Sequence, residues 1–347
     1  MKRYALPLAA AISVALGAAG GALAGAGHAP SFVLPEWSLV PRFSPQPNAR
    51  LQTLQKFPRN PKPPRRKPVH VRPAEHPRAT TLSIYEHTAK PWILGAQGCS
   101  AARRHETGIV VLDFGKPAFK HHGYGVILFS GRYADNHHVT TAMVGYARGY
   151  VRCLPQGSTA TIEVARGTSN YHPAVPSAYS AGARWARATN TFGRILAREG
   201  LDEHVTAAAA DDAEPAWDRG FHKTRGFFHG FRAATHGHTL YDYGSLDGGV
   251  GAIWSARQAW YVAGGIRHTK ALPEIYNSAM ARQWAELARI ARSRYHRGVE
   301  FAGVMTQGTP SCHCGLRPHE AHRALSHALD ANGVGHTVLP DGGTTIR

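Results

Sequence analysis

Acidic residues are scarce in this chain: 22 Asp and Glu stand against 40 Lys and Arg in 347 residues, and the net charge is +18 with 22 histidines counted as neutral. Such a chain is drawn to anionic surfaces, whether wall polymers, lipid headgroups or nucleic acid, and charge alone does not choose among them. No recognised nucleic-acid-binding motif is present, so no specific nucleic-acid partner is expected. Nucleotide loops are missing too. There is no Gly-x-x-x-x-Gly-Lys loop and no Gly-x-Gly-x-x-Gly after a first strand, and no cofactor is indicated. Ser169 and Ser245 follow strand-like runs, but neither sits in a Gly-x-Ser-x-Gly elbow, which argues against a serine hydrolase. Beyond residue 29 no stretch is long and apolar enough to span a membrane. The chain has no internal repeat.

What is present begins with a short positive start, Met1-Lys2-Arg3, and an uncharged apolar run to about Gly27. Small residues close it at Ala22-Leu23-Ala24 and Gly27-His28-Ala29. This is the layout of a secretory signal over 1–29, either cleaved or kept as a membrane anchor, and it predicts a secreted or cell-surface protein. Residues 30–95 read as a linker. Prolines recur from Pro30 to Pro91, and Pro61 to Pro68 is dense in proline and positive charge. Such a segment cannot bury enough surface to fold, and its prolines keep it extended. It predicts a disordered basic arm, a spacer that also tethers the protein to an anionic cell-wall polymer or membrane surface. The remainder, 96–347, is the folded domain, drawn from a chain that is 43% hydrophobic.

Four cysteines occur: Cys99, Cys153, Cys312 and Cys314. An even number in an exported chain suggests disulfides, with Cys99 and Cys153 as one staple. Cysteines one residue apart rarely pair with each other, and Cys312-His313-Cys314 supplies too few ligands for a metal site. No metal is expected.

From Gly108 onward, short β-rich runs alternate with helical stretches. Strands are predicted at 108–113, 125–129, 161–166, 204–210, 238–243, 258–263, 272–276 and 299–305. Helices are predicted at 177–198, 277–295 and 318–331, where apolar residues recur at helical spacing. Strands alternating with helices imply a parallel sheet, and eight of them suit an α/β fold of the (β/α)8 TIM type, regular or irregular.

In such a fold the strand C-termini carry the chemistry. Asp113, Asn170, Asp211, Asp212, Glu214, Asp242, Asp247, Glu274 and Gln307 all fall there. The sharpest feature is the run from Ala207 through Asp211, Asp212 and Glu214 to Trp217. Residues two apart on a strand share a face, so Asp212 and Glu214 point the same way if the strand continues. An Asp beside a Glu raises its neighbour's pKa and suits it to general acid work. Trp217 offers a flat face to a sugar ring. Glycoside hydrolysis usually needs two carboxyl groups, about 5 Å apart for retention or about 6.5–9.5 Å for inversion, and Asp113 is the candidate partner. A substrate-assisted enzyme would need only the Asp212–Glu214 pair. Capping of a following helix remains an alternative role for these acids. Tyr243 and Tyr276 near strand ends are candidate groove residues. The pairs His121-His122 and His137-His138 read as solvated loop residues.

In sequence order, Val110-Val-Leu-Asp-Phe-Gly115, Gly149-Tyr-Val-Arg-Cys153, Gly167-Thr-Ser-Asn170, Asp212-Ala-Glu-Pro-Ala-Trp217, Tyr243-Gly-Ser245, Leu272-Pro-Glu-Ile-Tyr276 and Gly303-Val-Met-Thr-Gln307 resemble an uncharacterised group of secreted bacterial proteins similar to TIM-barrel glycoside hydrolases. The resemblance covers about 95–345. More distantly, Asp212 and Glu214 resemble the Asp-x-Glu of chitinase-like enzymes, without the acidic and glycine pattern that precedes it there. Asp113 with Asp212 and Glu214 is similar to the outline of secreted muramidases. The resemblance implies a secreted glycoside hydrolase-like protein acting on peptidoglycan or another polysaccharide, of retaining or substrate-assisted type. Glu214 is then the general acid, assisted by Asp212 and by Asp113, with Trp217, Asn170, Tyr243, Asp242, Tyr276 and Gln307 as substrate contacts. The alternative is a wall-associated glycan-binding barrel without catalysis.

Overall fold

Strands in this protein form where small or β-branched residues can be buried on both faces. The computed structural model describes residues 80–307, 315–334 and 343–346. The expected signal, most of the expected arm and the Cys312-His313-Cys314 tripeptide lie outside the described residues.

In chain order the elements are β1 (Thr80–Tyr85), α1 (Pro91–Arg103), β2 (Gly108–Asp113), β3 (Lys116–Lys120), β4 (Gly123–Ile127), β5 (Tyr133–Asp135), α2 (Asn136–Cys153), β6 (Ile162–Ser169), α3 (Ala178–Arg198) and β7 (Val205–Asp212). They continue with α4 (His222–Ala234), β8 (Leu240–Asp242), α5 (Ala256–Trp260), a π-helical turn (Tyr261–Gly265), β9 (Thr269–Ala271), α6 (Ser278–Tyr295), β10 (Val304–Thr306), α7 (Pro318–Ala331) and β11 (Gly343–Ile346). Eight strands form one sheet in the order β10-β11-β1-β2-β6-β7-β8-β9, and each adjacent pair is parallel. Beyond β9 the chain bonds to the segment that leads into β10. The Ala302 N–H donates to the Ala271 carbonyl at 2.8 Å, and the Ile275 N–H donates to the Met305 carbonyl at 2.7 Å. Strands β3, β4 and β5 form a separate antiparallel sheet.

Alternation along the strands sorts the core into two faces. Ile109, Val111, Ala165, Ala208, Ala210, Tyr241, Tyr243, Leu272 and Met305 pack together on one face. Val110, Leu112, Val164, Ala207, Ala209 and Leu240 pack on the other, beneath side chains of α1–α4 such as Leu94, Met143, Trp185 and Phe228. A further cluster lies under α6 and α7, where Trp284, Leu287 and Leu325 meet Phe301 and Val304.

Helix starts follow local chemistry. Ser177 caps α3 by accepting from the Ser180 N–H, Asn277 caps α6 by accepting from Ala279 and Met280, and Pro318 opens α7. Helices α1 and α2 touch backbone to backbone. A Cβ on Gly149 would collide with the Gly95 carbonyl, so only glycine fits there. A disulfide from Cys99 in α1 to Cys153, the last residue of α2, closes the same contact.

Several expectations are corrected. The folded part begins within the expected 30–95 linker, because β1 and the start of α1 lie there; Thr81, Leu82 and Ser83 are buried by pairing with β2. The expected strand at 125–129 is β4 of the antiparallel sheet. The expected strand at 258–263 is the end of α5 and the π-helical turn, which begins from a Ser255–Gln258 capping box. The expected strand at 272–276 starts where β9 ends and forms only an isolated bridge, Glu274 to Met305. The parallel sheet has eight strands, with β1, β9 and β11 in place of those three.

No helix among the described residues is long and apolar enough to cross a membrane.

Candidate active site

Because every pair in the large sheet is parallel, all its strand C-termini lie at one end, and parity decides which side chains point inward there. Asp113 continues the face of Ile109 and Val111. Asp212 continues that of Ala208 and Ala210. Glu274 and Tyr276 follow Leu272 at steps of two. The sheet thereby gathers four carboxyl groups, Asp113, Asp212, Glu214 and Glu274. Asp113, Asp212 and Glu274 are buried, and Glu214 is half-buried.

Burial raises the pKa of each, and repulsion from the others of the four adds to the rise of Asp212 and Glu274. Glu214 is pushed up to about 7 by desolvation and by the nearby Asp247 charge, with hydrogen bonding from Ser245 opposing the rise. Glu274 is pushed up to about 8 by desolvation and by the Glu214 charge, while its hydrogen bond with Tyr276 pulls the other way. Asp113 rises to about 7 through desolvation, against a 2.8 Å hydrogen bond from the Gly115 N–H. Asp212 is held well above the usual carboxylate range by desolvation, then by Glu214, Glu274 and Asp113; its Oδ1 has no hydrogen-bond partner among the described residues. The Tyr85 hydroxyl, at the end of β1, feels desolvation and the fields of Asp212, Glu274, Asp113 and Glu214, all of which raise its pKa.

Glu214 and Glu274 line an open depression of about 390 Å³, together with Asp247, Ser245, Tyr276 and Asn277. Asp113 and Asp212 do not line it. Among the described residues no group of His, Cys, Asp and Glu is arranged to hold a metal ion.

The other expected site residues take varied places. Tyr276 lines the depression. Tyr243 is fully buried on the inward face, and its hydroxyl donates to the Thr168 carbonyl at 3.3 Å. Asp242 is corrected. It pairs in register with Asp211, is 1% exposed and does not line the depression, so it is no groove residue. Asn170 is likewise turned from the groove. Its amide spans Glu214, accepting from the Glu214 N–H at 3.0 Å and donating to the Glu214 carbonyl at 2.9 Å, and it donates to Thr224 in α4 at 2.9 Å. Trp217 is half-buried and does not line the depression; it packs edge-on to the exposed Tyr171 with ring centroids 5.3 Å apart. Gln307 follows β10 but is not among the residues lining the depression. Of the histidine pairs, His121 and His122 form the turn between β3 and β4, and His138 in the first turn of α2 lies 2.8 Å from Asp135.

Two carboxylates of the depression had no role in the sequence reading. Glu274 and Asp247 stand among the strand-end acids, and the inward step from Leu272 to Glu274 is the signal that singles out the first. Tyr85 was hidden by its place within the expected arm.

No family model matches the sequence, and no curated protein matches it. One solved structure titled "Glycoside hydrolase" is similar at 11% identity and a TM-score of 0.33; the match covers 77% of this chain and about 60% of that structure's length. The mixed α/β architecture with a parallel sheet therefore stands on this protein's own strands, and that likeness is weak.

Proposed function

We propose that this protein hydrolyses glycosidic bonds with Glu214 and Glu274 as its working pair. The observation that supports this most is two glutamates with pKa values near 7 and 8 facing one open depression at the strand ends of a parallel sheet. A carboxyl group tuned near neutrality holds a proton and gives it up readily, which is what general acid catalysis requires. We propose further that the large sheet is a closed (β/α)8-type barrel, β9 and β10 being its closing edges, supported by the hydrogen bonds between residues 271–275 and 300–305.

In the proposed step Glu274, which holds its proton to the higher pH, donates it to the leaving oxygen as the bond from that oxygen to the sugar carbon breaks. Glu214, expected from sequence as the acid, is the first of the pair to ionise; it faces the same space and as carboxylate steadies the positive charge that develops on the sugar. Water then adds its hydroxyl to that carbon, and its proton returns to the carboxylate pair. Asp212 and Asp113 lie beneath. On top of desolvation, the charges of Glu214 and Glu274 raise the pKa of Asp212, which stays protonated beneath the working pair. Asp113, the partner expected from sequence, takes this supporting place, because it is buried away from the depression. The export signal and basic arm expected ahead of β1 support a substrate outside the cell, a wall or environmental polysaccharide.

The test is release of reducing ends from a panel of polysaccharides, peptidoglycan and chitin included, by the full chain and by Glu214→Gln and Glu274→Gln. Losses of about 10²–10⁴-fold are expected in each variant. Wild-type activity that survives Glu214→Gln removes Glu214 from the mechanism. No product across the panel removes the hydrolase reading.

A further inference from the structure

Five large hydrophobic side chains are exposed among the described residues: Trp92, Ile93, Phe129, Tyr171 and Tyr179. They are not scattered. Trp92 and Ile93 open α1 after β1, Phe129 lies between β2 and α2, Tyr171 follows β6, and Tyr179 is in the first turn of α3. Each comes after a strand of the large sheet, and none lies in a segment that leads from a helix back into that sheet. In a parallel sheet the segments that leave the strands share one end, which here is the end that carries the acids. Apolar surface left in water at one end of a fold marks a place where something binds.

Tyr171 is tied to the backbone of Glu214 from two directions. Asn170, the residue before it, accepts the Glu214 N–H and donates to the Glu214 carbonyl. Trp217, whose N–H donates to that carbonyl at 3.3 Å, meets the Tyr171 ring edge-on. The Lys116 ammonium lies 5.3 Å from the Tyr171 ring centroid, and the His172 ring packs at 4.6 Å. The ring is held in place and is still 39% exposed. Phe129, 40% exposed, is held in the same way on the β1 side. Its N–H donates to the Glu86 carbonyl at 3.4 Å, and its ring lies 4.5 Å from that of Tyr85. Tyr85 in turn pairs in register with Asp113 and packs on the inward cluster. Fixed aromatic rings therefore stand on the β1 and β6 sides of the carboxyl groups, outside the depression itself.

We infer that Tyr171 and Phe129 stack sugar rings of a glycan chain that runs across the strand ends into the depression, so that the substrate is a polymer held over several sugars rather than one terminal sugar. This inference rests on the glycosidase reading above and names its substrate class. An aromatic ring offers a pyranose a flat apolar face, while Lys116 and His172 beside Tyr171 offer hydrogen bonds to the sugar hydroxyls. A lipid bilayer is the poorer occupant. Of the five exposed side chains only Ile93 is aliphatic, and pressing this end into lipid would strip water from the acids beside it.

The experiment uses the full chain in about 0.5 M salt, which screens its basic charge, with soluble oligosaccharides of about two to eight sugars cut from chitin and from peptidoglycan. In a series that is cleaved, kcat/KM should rise about tenfold or more with length. In Tyr171→Ala and Phe129→Ala the loss should grow with length and reach about tenfold on the longest oligomers, through KM, whereas Tyr171→Phe should keep the wild-type trend. A flat length dependence in the wild type, or a loss equal at every length in the variants, overturns the inference and leaves the hydrolase reading intact. If nothing is cleaved, sedimentation with insoluble chitin and peptidoglycan decides. Wild type held and Tyr171→Ala released sustains the glycan surface while the hydrolase reading falls. Equal retention of the two, or no retention of either, overturns both. If Tyr171→Ala instead loses binding to phosphatidylglycerol vesicles, or loses self-association, with glycan binding unmoved, the surface belongs to lipid or to a second copy and the inference falls.

Discussion

Asn170 brackets the backbone of Glu214: its side-chain amide accepts the Glu214 N–H at 3.0 Å and donates to the Glu214 carbonyl at 2.9 Å. The same amide holds Thr224, whose hydroxyl and N–H both donate to Asp218, so strand end, loop and α4 form one network. An asparagine at the end of β6 thus sets where a carboxyl beyond the end of β7 stands. Asn170→Ala leaves two backbone groups of Glu214 unpaired and should cost about 1–3 kcal/mol of stability. Activity should fall through kcat, with KM little changed. Asn170→Asp keeps the acceptor but adds a negative charge, so the pH limb governed by Glu214 should move upward. Denaturant unfolding and a pH–rate profile check these outcomes; an unmoved limb in Asn170→Asp argues that Asn170 is structural only.

Stability should fall as pH rises through the range where the buried acids resist ionisation. Folded, Glu274 keeps its proton up to about pH 8, whereas its ordinary value is 4.5. Between those values the unfolded chain binds fewer protons than the folded one, so this group's penalty is absent below about 4.5 and complete above about 8. Glu274→Gln removes the penalty. The variant should match the wild type near pH 4 and exceed it by a margin on the order of a few kcal/mol near pH 8. Urea unfolding at both pH values measures the margin, and a pH-independent difference contradicts the burial argument.

The Cys99–Cys153 disulfide closes a loop with a sequence separation of 54 across the glycine contact of α1 and α2. Loop-closure entropy puts its contribution at about 4 kcal/mol in the chain-entropy model. Cys99→Ala/Cys153→Ala should lose about that much in denaturant midpoint analysis, and reductant should lower the wild type but leave the double variant unmoved.

Arg166 is fully buried on the outward face of β6. Its guanidinium lies 4.1 Å from the Trp185 ring centroid and donates to Thr140 Oγ1 at 2.9 Å and Asn136 Oδ1 at 2.7 Å. Burial lowers its pKa to about 9, so it stays charged at neutrality. A lysine has no planar face to stack and loses its proton more readily when buried. Arg166→Lys should destabilise by about 2–4 kcal/mol at pH 7. The deficit should shrink as pH rises, because the unfolded lysine binds a proton that the folded one gives up. Thermal unfolding at pH 7 and pH 9 tests both the size and the trend.

Local pattern was enough for much of this protein. The 3.6-residue period marked α3, α6 and α7 within about one residue. The two-residue period placed Asp212 on the face of Ala208 and Ala210, because side-chain direction along a strand depends only on the chain itself; β7 ends at Asp212, so the expected extension to Glu214 fails and Glu214 lies beyond the strand. Partner choice is a different matter. Thr80–Tyr85 reads as the tail of a proline-rich arm until β2 and β11 flank it. The run at 125–129 has the composition of a core strand, yet a tight turn at His121 and His122 returns it antiparallel onto β3. Asp242 and Glu274 both end strand-like runs; pairing buries the first in register with Asp211, and the second lines the depression with Glu214. The sequence by itself determined α3, α6 and α7, the strands β2, β6, β7, β8 and β10, the basic charge and the line of acids at the strand ends. Only the tertiary structure decided which of those acids meet, because pairing joins residues tens of positions apart whose contacts no local period encodes.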